Sequence, residues 1–143
     1  LPIEIELIAA VPPEFGNKSG RAVEHLTPPG MTASPVFSRV ARLRSPAVVY
    51  TSGLYGDEKV DSPARVRDIL GQVRQLVDRA GGNMRQLVKA TYYVASDETS
   101  ADLGKIRPEY YEPDSPPAAS KAATEGVGPD GHTLGIDMIA AAG

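Results

Sequence analysis

The chain has 143 residues, of which 41% are hydrophobic, so it is long enough to form one compact domain with a single core. Its formal net charge of −3 argues against a nucleic-acid partner, because a phosphate-binding surface needs clustered lysine and arginine side chains. The sequence contains no cysteine, which excludes disulfides and thiolate chemistry. It lacks an apolar run of about 20 residues, so we expect a soluble protein without a membrane partner, cytoplasmic by default.

The first part of the chain is predicted to be strand-rich. Residues 1–10 alternate apolar and acidic side chains, which predicts a half-buried strand. Residues 11–20 are rich in proline and glycine, which is typical of a linker. Three further strands are predicted over residues 21–26, 37–43 and 47–52.

An amphipathic helix is predicted after the acidic loop of residues 53–61. Ser62 can cap it, and Pro63 follows where its missing N–H costs nothing. Apolar side chains then recur at helical spacing, at Val66, Ile69, Leu70, Val73, Leu76, Val77 and Ala80. The arginines between them are predicted to form the solvated face of the helix: Arg65, Arg67, Arg74 and Arg79.

The remainder of the chain alternates strands with one further helix. A strand is predicted over residues 87–94, a helix over 100–112, and two last strands over 118–126 and 133–141. A helix with one apolar face must pack on a sheet. Residues 21–143 are therefore predicted to form an α+β domain with one mixed β-sheet and two helices packed on one face.

The beginning of the chain is similar to its end. Residues 3–10 align with residues 134–141, with identities at Ile5/Ile136, Ile8/Ile139, Ala9/Ala140 and Ala10/Ala141. Because the chain also begins with Leu1 rather than methionine, we expect residues 1–10 to be the last strand of a preceding copy of the same domain. A chance match between two apolar strands stays open as the alternative.

A series of short motifs between Pro35 and Ala141 resembles the RidA family, also called YjgF or L-PSP endoribonuclease-like. The motifs are Phe37-Ser38, Val49-Tyr50-Thr51-Ser52-Gly53, Leu87-Val88-Lys89-Ala90-Thr91, Tyr110-Tyr111, Pro117-Ala118-Ala119-Ser120 and Ile136-Asp137-Met138-Ile139-Ala140. The resemblance implies a chorismate-mutase-like fold, usually a homotrimer, with clefts between subunits that bind small carboxylate-bearing metabolites. It also implies hydrolysis of enamines and imines to ammonia and a 2-oxo acid, without a cofactor or metal.

The chain departs from the resembled family at the residues that carry this activity. The family holds the substrate carboxylate with an arginine, where this chain has Ala119, and positions water with a glutamate, where it has Gly135. A family tyrosine is replaced by Phe37 and an asparagine by Gly104. We therefore expect a divergent domain, non-catalytic or altered in metabolite binding, that assembles as a trimer or as a pseudo-trimer or hexamer of repeats.

Phe37 and Ala119 remain candidates for ligand binding, and four further residues are candidates for binding or chemistry. Ser52 and Gly53 end a strand, where they could bind an oxyanion or simply form a turn. Lys121 shares a strand face with Ala119 and could supply a cation, or be a surface lysine. Glu4 aligns with Gly135 and could supply an acid, or be the outward half of a strand.

These candidates leave two alternatives to a non-catalytic domain. The first is an enamine or imine deaminase that uses Lys121 and an acid from another segment, such as Glu4. The second, an endoribonuclease, fits least, because the chain is acidic and lacks a pair of histidines suited to RNA cleavage. His25 and His132 are predicted to be surface residues, and the loop acids at residues 57–58 to be solvated.

Overall fold

The structure, a computed structural model, describes residues 5–10, 12 and 20–143. Its elements are β1 (Val23–Leu26), β2 (Val40–Leu43), β3 (Ala47–Tyr50), β4 (Leu54–Tyr55), α1 (Ser62–Arg79), β5 (Gly82–Val94), α2 (Asp97–Ile106), a 3-10 turn (Arg107–Glu109), β6 (Ala118–Ala123) and β7 (Leu134–Ala142). The predicted α+β class, with a mixed sheet and two helices, is confirmed.

The main sheet has five strands. Along it the order is β3-β7-β5-β6, and the short strand β4 also pairs with β7. Only β5 and β6 pair in parallel, and α2 lies in the crossover that such a pair requires. Strands β1 and β2 form a separate antiparallel pair.

The core lies between the two helices and one face of the main sheet, which we call the helix face. Both helices and the main sheet contribute fully buried side chains to it. Among them are Val66, Ile69 and Val73 of α1, Leu103 of α2, Tyr92 of β5 and Ile136 of β7. Side chains alternate along a strand, so the neighbours of these residues point to the opposite face, which we call the open face. Tyr93 and Gly135, which are partners across β5 and β7, lie on the open face.

Both helix starts differ from the prediction by a few residues. Asp61, not Ser62, caps α1, because its carboxylate accepts a hydrogen bond of 2.9 Å from the amide of Ala64. Helix α2 begins three residues earlier than predicted, where Ser96 caps the amide of Thr99. Acidic residues in the first turn favour this start, and α2 ends in the 3-10 turn around Pro108.

Strand boundaries also differ. Residues 54–55, predicted as loop, pair with Ile136 and Gly135 as β4. Residues 5–10 lie exposed without the predicted strand pairing, while residues 1–4 and most of the predicted linker lie outside the described residues. That residues 1–10 derive from a preceding repeat stays a prediction. Among the described residues, no helix is long and apolar enough to cross a membrane.

Candidate functional site

A cavity of about 230 Å³ opens on the open face where β4 and β5 flank the start of β7. Its wall includes Gly53, Tyr55, Tyr93, Val127 and Gly135, together with Gly126, Gly128 and Ile136. None of these lining residues is charged. The cavity can therefore take a small, largely apolar group, but its wall offers no carboxylate to activate water and no cation to hold an acid.

Val127 occupies the space in which a side chain at position 135 would begin. A Cβ atom built on Gly135 would lie only 2.6 Å from Cγ1 of Val127, which is itself 5% exposed. Real Cβ atoms essentially never come so close, so any side chain at position 135 requires Val127 to move. The space beside Gly135 on the open face is thus occupied by an apolar side chain.

A buried arginine anchors the loop that carries Val127. Arg65 donates to Thr133 Oγ1 at 2.8 Å and lies 3.1 Å from a carboxylate oxygen of Glu58. Glu58 in turn accepts from the amide of Thr133 at 2.8 Å. The predictions that Arg65 and Glu58 are solvated are therefore wrong, because both contact Thr133, which is distant in sequence.

Ala119 and Gly135 lie on opposite faces of the sheet. Ala119 pairs with Ala90, whereas Gly135 pairs with Tyr93. Residues three apart on β5 point to opposite faces, which places Ala119 on the helix face and Gly135 on the open face. Within one chain, the structure does not bring these two positions into a common site.

The remaining predicted site residues are also dispersed. Lys121 lies on the helix face at the sheet edge, where its Nζ atom is 2.8 Å from Ser100 Oγ of α2. Gly53 lines the cavity, but Ser52 is exposed and does not line it. Phe37 is held beside the start of β6 because Ser38 bridges to that strand. Glu4 lies outside the described residues.

Arg107 is a functional candidate that the sequence analysis missed. It follows α2 directly, is 9% exposed, and places its guanidinium carbon 5.3 Å from the centre of the Tyr92 ring. The Nε atom of Arg107 and the Tyr92 hydroxyl are both buried, and the polar group nearest the Tyr92 hydroxyl is the Arg107 side chain itself. Burial raises the pKa of Tyr92, and the nearby Arg107 charge offsets only part of that rise.

A group of charged residues lies on the open face near the cavity. A carboxylate oxygen of Glu6 is 2.7 Å from Nζ of Lys89, and this hydrogen bond lowers the pKa of Glu6. Partial burial and the charges of Asp137 and Glu6 raise the pKa of Tyr93, which lines the cavity. Glu6, an acid that was not among the predicted site residues, therefore contacts the same face as Gly135.

The two histidines lie in different places: His132 contacts a residue of the cavity wall, and His25 contacts β5. His25, predicted as a surface residue, is half-buried, and its Nε2 atom is 2.9 Å from the Leu87 carbonyl oxygen. The His132 ring packs edge-on against Tyr55 at 5.5 Å. In the described part of the chain, no three acidic or histidine side chains are grouped as a metal ion would require.

The fold has counterparts among solved structures. A Yersinia pestis protein of unknown function from the conserved Rid family, YyfB, superimposes with a TM-score of 0.75 at 18% identity, covering 85% of this chain and 99% of that one. Rv2704 from Mycobacterium tuberculosis, of the YjgF/YER057c/UK114 family, gives 0.59 at 21% identity over 73% and 86%. Yeast Mmf1 gives 0.60 at 15% identity over 85% and 99%. These similarities establish the shared fold.

The sequence itself matches a family model described as endoribonuclease L-PSP. The match extends over residues 31–142, which includes both helices and every strand of the main sheet. Among the elements of the fold, the match leaves out only β1. This chain therefore belongs to the endoribonuclease L-PSP family, the RidA/YjgF family that its motifs resemble.

Proposed function

We propose that this chain is a RidA-like domain that does not hydrolyse imines and instead binds a small carboxylate-bearing metabolite as one subunit of a homo-oligomer. The observation that carries the proposal is the contact between Gly135 and Val127. A bulky apolar side chain stands where the resemblance implies a water-activating glutamate. Without a carboxylate in the cavity wall, the attacking water lacks the general base that this chemistry uses.

The open face supports assembly with further copies of the chain. Tyr50 is 68% exposed and pairs with Ile139, which lies on the open face two residues from Asp137. Tyr55 and Tyr93 on the same face are 39% and 38% exposed. Exposed aromatic side chains are characteristic of interface surfaces. In a homo-oligomer, a neighbouring chain can bring its edge strand β6 to this cavity, so that positions 119 and 135 of different chains share one cleft.

The test of this proposal is an assay of imine hydrolysis. Purified protein is mixed with freshly generated 2-iminobutyrate, and release of 2-oxobutyrate is followed beside an active family member as positive control. We expect the buffer rate, because the cavity holds no general base. A rate well above buffer would overturn the proposal. Sedimentation velocity on the same sample is expected to give a species larger than the 15.1 kDa chain.

A deaminase remains the second candidate because of Glu6. Its carboxylate and that of Asp137 act on Tyr93 at the cavity wall, so an acid from another segment does reach this face. If hydrolysis is found, Glu6→Gln should abolish it, with Lys121→Ala as the comparison on the helix face. Activity that survives both changes would exclude this assignment.

A further inference from the structure

The segment of residues 5–10 is attached to the domain through one charged side chain. A carboxylate oxygen of Glu6 lies 2.7 Å from Nζ of Lys89 on β5. The large apolar side chains of the segment face solvent, since Ile5, Leu7 and Ile8 are 85%, 86% and 71% exposed. Residues 5–10 also form no strand pairing. The position of the segment therefore depends on the Glu6 carboxylate rather than on apolar packing.

The Glu6 carboxylate is received by a group of polar side chains on the open face, which we call the Lys89 cradle and which consists of Lys89, Thr91 and Ser120. Lys89 and Thr91 lie two residues apart on β5, and Ser120 of β6 pairs with Thr91, so the three side chains share a face. Nζ of Lys89 is 3.2 Å from Oγ1 of Thr91. The hydrogen bond from Lys89 lowers the pKa of Glu6, and hydrogen bonds from Ser120 and Thr91 act in the same direction. Three donors thus converge on one carboxylate.

The contact between Glu6 and the Lys89 cradle can both hold and release the segment. The Lys89 side chain is only 14% exposed, and among the ion pairs of the described residues it has Glu6 as its one carboxylate partner. A cation withdrawn from water in this way gains more from a partner than a fully exposed one does. The Glu6 side chain, in contrast, is 46% exposed, so water can replace the cradle around its carboxylate.

The docked segment lies across the surface on which copies of the chain are proposed to meet. Ser120 of the Lys89 cradle follows Ala119 on the edge strand β6. On the other side, burial, the charge of Asp137 and the charge of Glu6 together raise the pKa of Tyr93, which lines the cavity. The Glu6 carboxylate therefore lies between the edge strand and the cavity wall. A neighbouring chain that approaches either surface meets residues 5–10.

We propose that residues 5–10 form a strap that Glu6 closes over the open face, and that the closed strap hinders assembly of the chain into its homo-oligomer. Opening the strap requires the Glu6 carboxylate to leave the Lys89 cradle, but it uncovers none of the large apolar side chains of the strap, which are already exposed. The apparent affinity between copies then falls with the fraction of chains whose strap is open. This inference rests on the proposed function, because it assigns a regulator to the assembly proposed there.

The first experiment changes the strap and leaves the open face as it is. Sedimentation velocity over a range of protein concentrations compares the unchanged protein with Glu6→Gln and Glu6→Lys. We expect Glu6→Gln to assemble at an about three- to tenfold lower concentration, because more chains have an open strap. Glu6→Lys should assemble at a lower concentration still, because Lys89 repels the new ammonium group. Glu109→Gln is the matched control and should change nothing, since Glu109 pairs with Arg67 of α1.

A zero-length crosslink tests the closed strap directly. A carbodiimide joins a carboxylate to an amine in contact with it, so dilute protein should form an amide between Glu6 and Lys89, which mass spectrometry of the peptides detects. Glu6→Gln, treated in the same way, controls for amides elsewhere, such as one between Asp102 and Lys105. The crosslinked chain should stay monomeric at concentrations at which the unchanged protein assembles. An amide from Glu6 of one chain to Lys89 of another would contradict the proposal, because the strap would then connect copies.

The outcomes separate this inference from the proposed function. If the unchanged protein and Glu6→Lys assemble at the same concentration, the strap inference is overturned and the homo-oligomer stands. Weaker assembly of Glu6→Gln and Glu6→Lys would also overturn it, since residues 5–10 would then support the interface. If none of the three proteins assembles, the homo-oligomer of the proposed function is excluded, and the inhibitory role of the strap is excluded with it, even where the amide between Glu6 and Lys89 forms.

Discussion

Arg65 and Arg107 are two arginines with the same exposure, 9%, and opposite surroundings. Arg65 has the Glu58 carboxylate at 3.1 Å and donates to Thr133 and to the Val60 carbonyl. Arg107 has the face of Tyr92 and no acceptor for its Nε atom among the described residues. Burial alone therefore does not identify a functional arginine. The partners distinguish the two residues: Arg65 holds two loops together through charged and polar contacts, whereas Arg107 packs on an aromatic ring.

The largest effect is expected for Arg65→Met. This change leaves Glu58 and Thr133 without their main partner and releases the loop that carries Val127, so we expect a loss of about 2–3 kcal/mol in the free energy of unfolding. Urea unfolding followed by circular dichroism measures it. Arg67→Met, whose ion pair is about half-exposed on both sides, should change stability by no more than about 0.5 kcal/mol. Equal losses from Arg65→Met and Arg107→Met would break the comparison between the two buried arginines.

A second, smaller effect is expected at the contact between Val127 and position 135 on the open face. Gly135→Ala is expected to lower the free energy of unfolding by about 1–3 kcal/mol, because the added Cβ collides with Val127. Gly104→Ala is the matched control. A Cβ at Gly104 meets nothing within 4 Å on a helix, so this change should stabilise the protein by about 0.5–1 kcal/mol.

The double variant Val127→Ala/Gly135→Ala completes that experiment. Removing the colliding methyl group should make the second substitution less costly than it is alone, which a double-mutant cycle measures as favourable coupling. Additive losses would show that Val127 does not fill the space at position 135.

The smallest effect concerns His25, a half-buried base that can lose its charge where an arginine cannot. Burial lowers the pKa of His25 below its ordinary value of about 6.5, although the Leu87 carbonyl opposes this. The unfolded chain therefore binds this proton more readily, so stability should fall as the pH drops from about 6.5 through the folded pKa. His25→Gln should remove part of that acid dependence in urea unfolding at pH 7 and pH 5, and His132→Gln should not. A pH dependence unchanged by His25→Gln would contradict this reasoning.

The sequence was sufficient for the architecture because the elements have strong local signals. The spacing of Val66, Ile69 and Val73 defines one buried helix face whatever surrounds it. Helix starts were less certain because neighbouring polar residues can both cap, and Asp61 rather than Ser62 accepts the amide of Ala64. The two-residue strand β4 is too short to show an alternating pattern.

The site could be predicted only in part. Motif order located Ala119 and Gly135, but not the sheet faces on which they lie, since those follow from register with β5. Arg65 was assigned to the solvated face because its partner Thr133 is 68 residues away. Arg107 follows a helix that Gly104 and Pro108 make hard to delimit. Its burial against Tyr92 depends on how that helix packs, which no local pattern encodes.

The contact between Val127 and Gly135 also constrains how an acidic side chain could be introduced at position 135. The change Gly135→Glu alone is expected to give a poorly folded protein, because Val127 would still occupy the space beside position 135. The change Val127→Ala, made first, would leave room for the glutamate side chain. The two changes are thus epistatic, and a laboratory selection for imine turnover should recover them in that order or together.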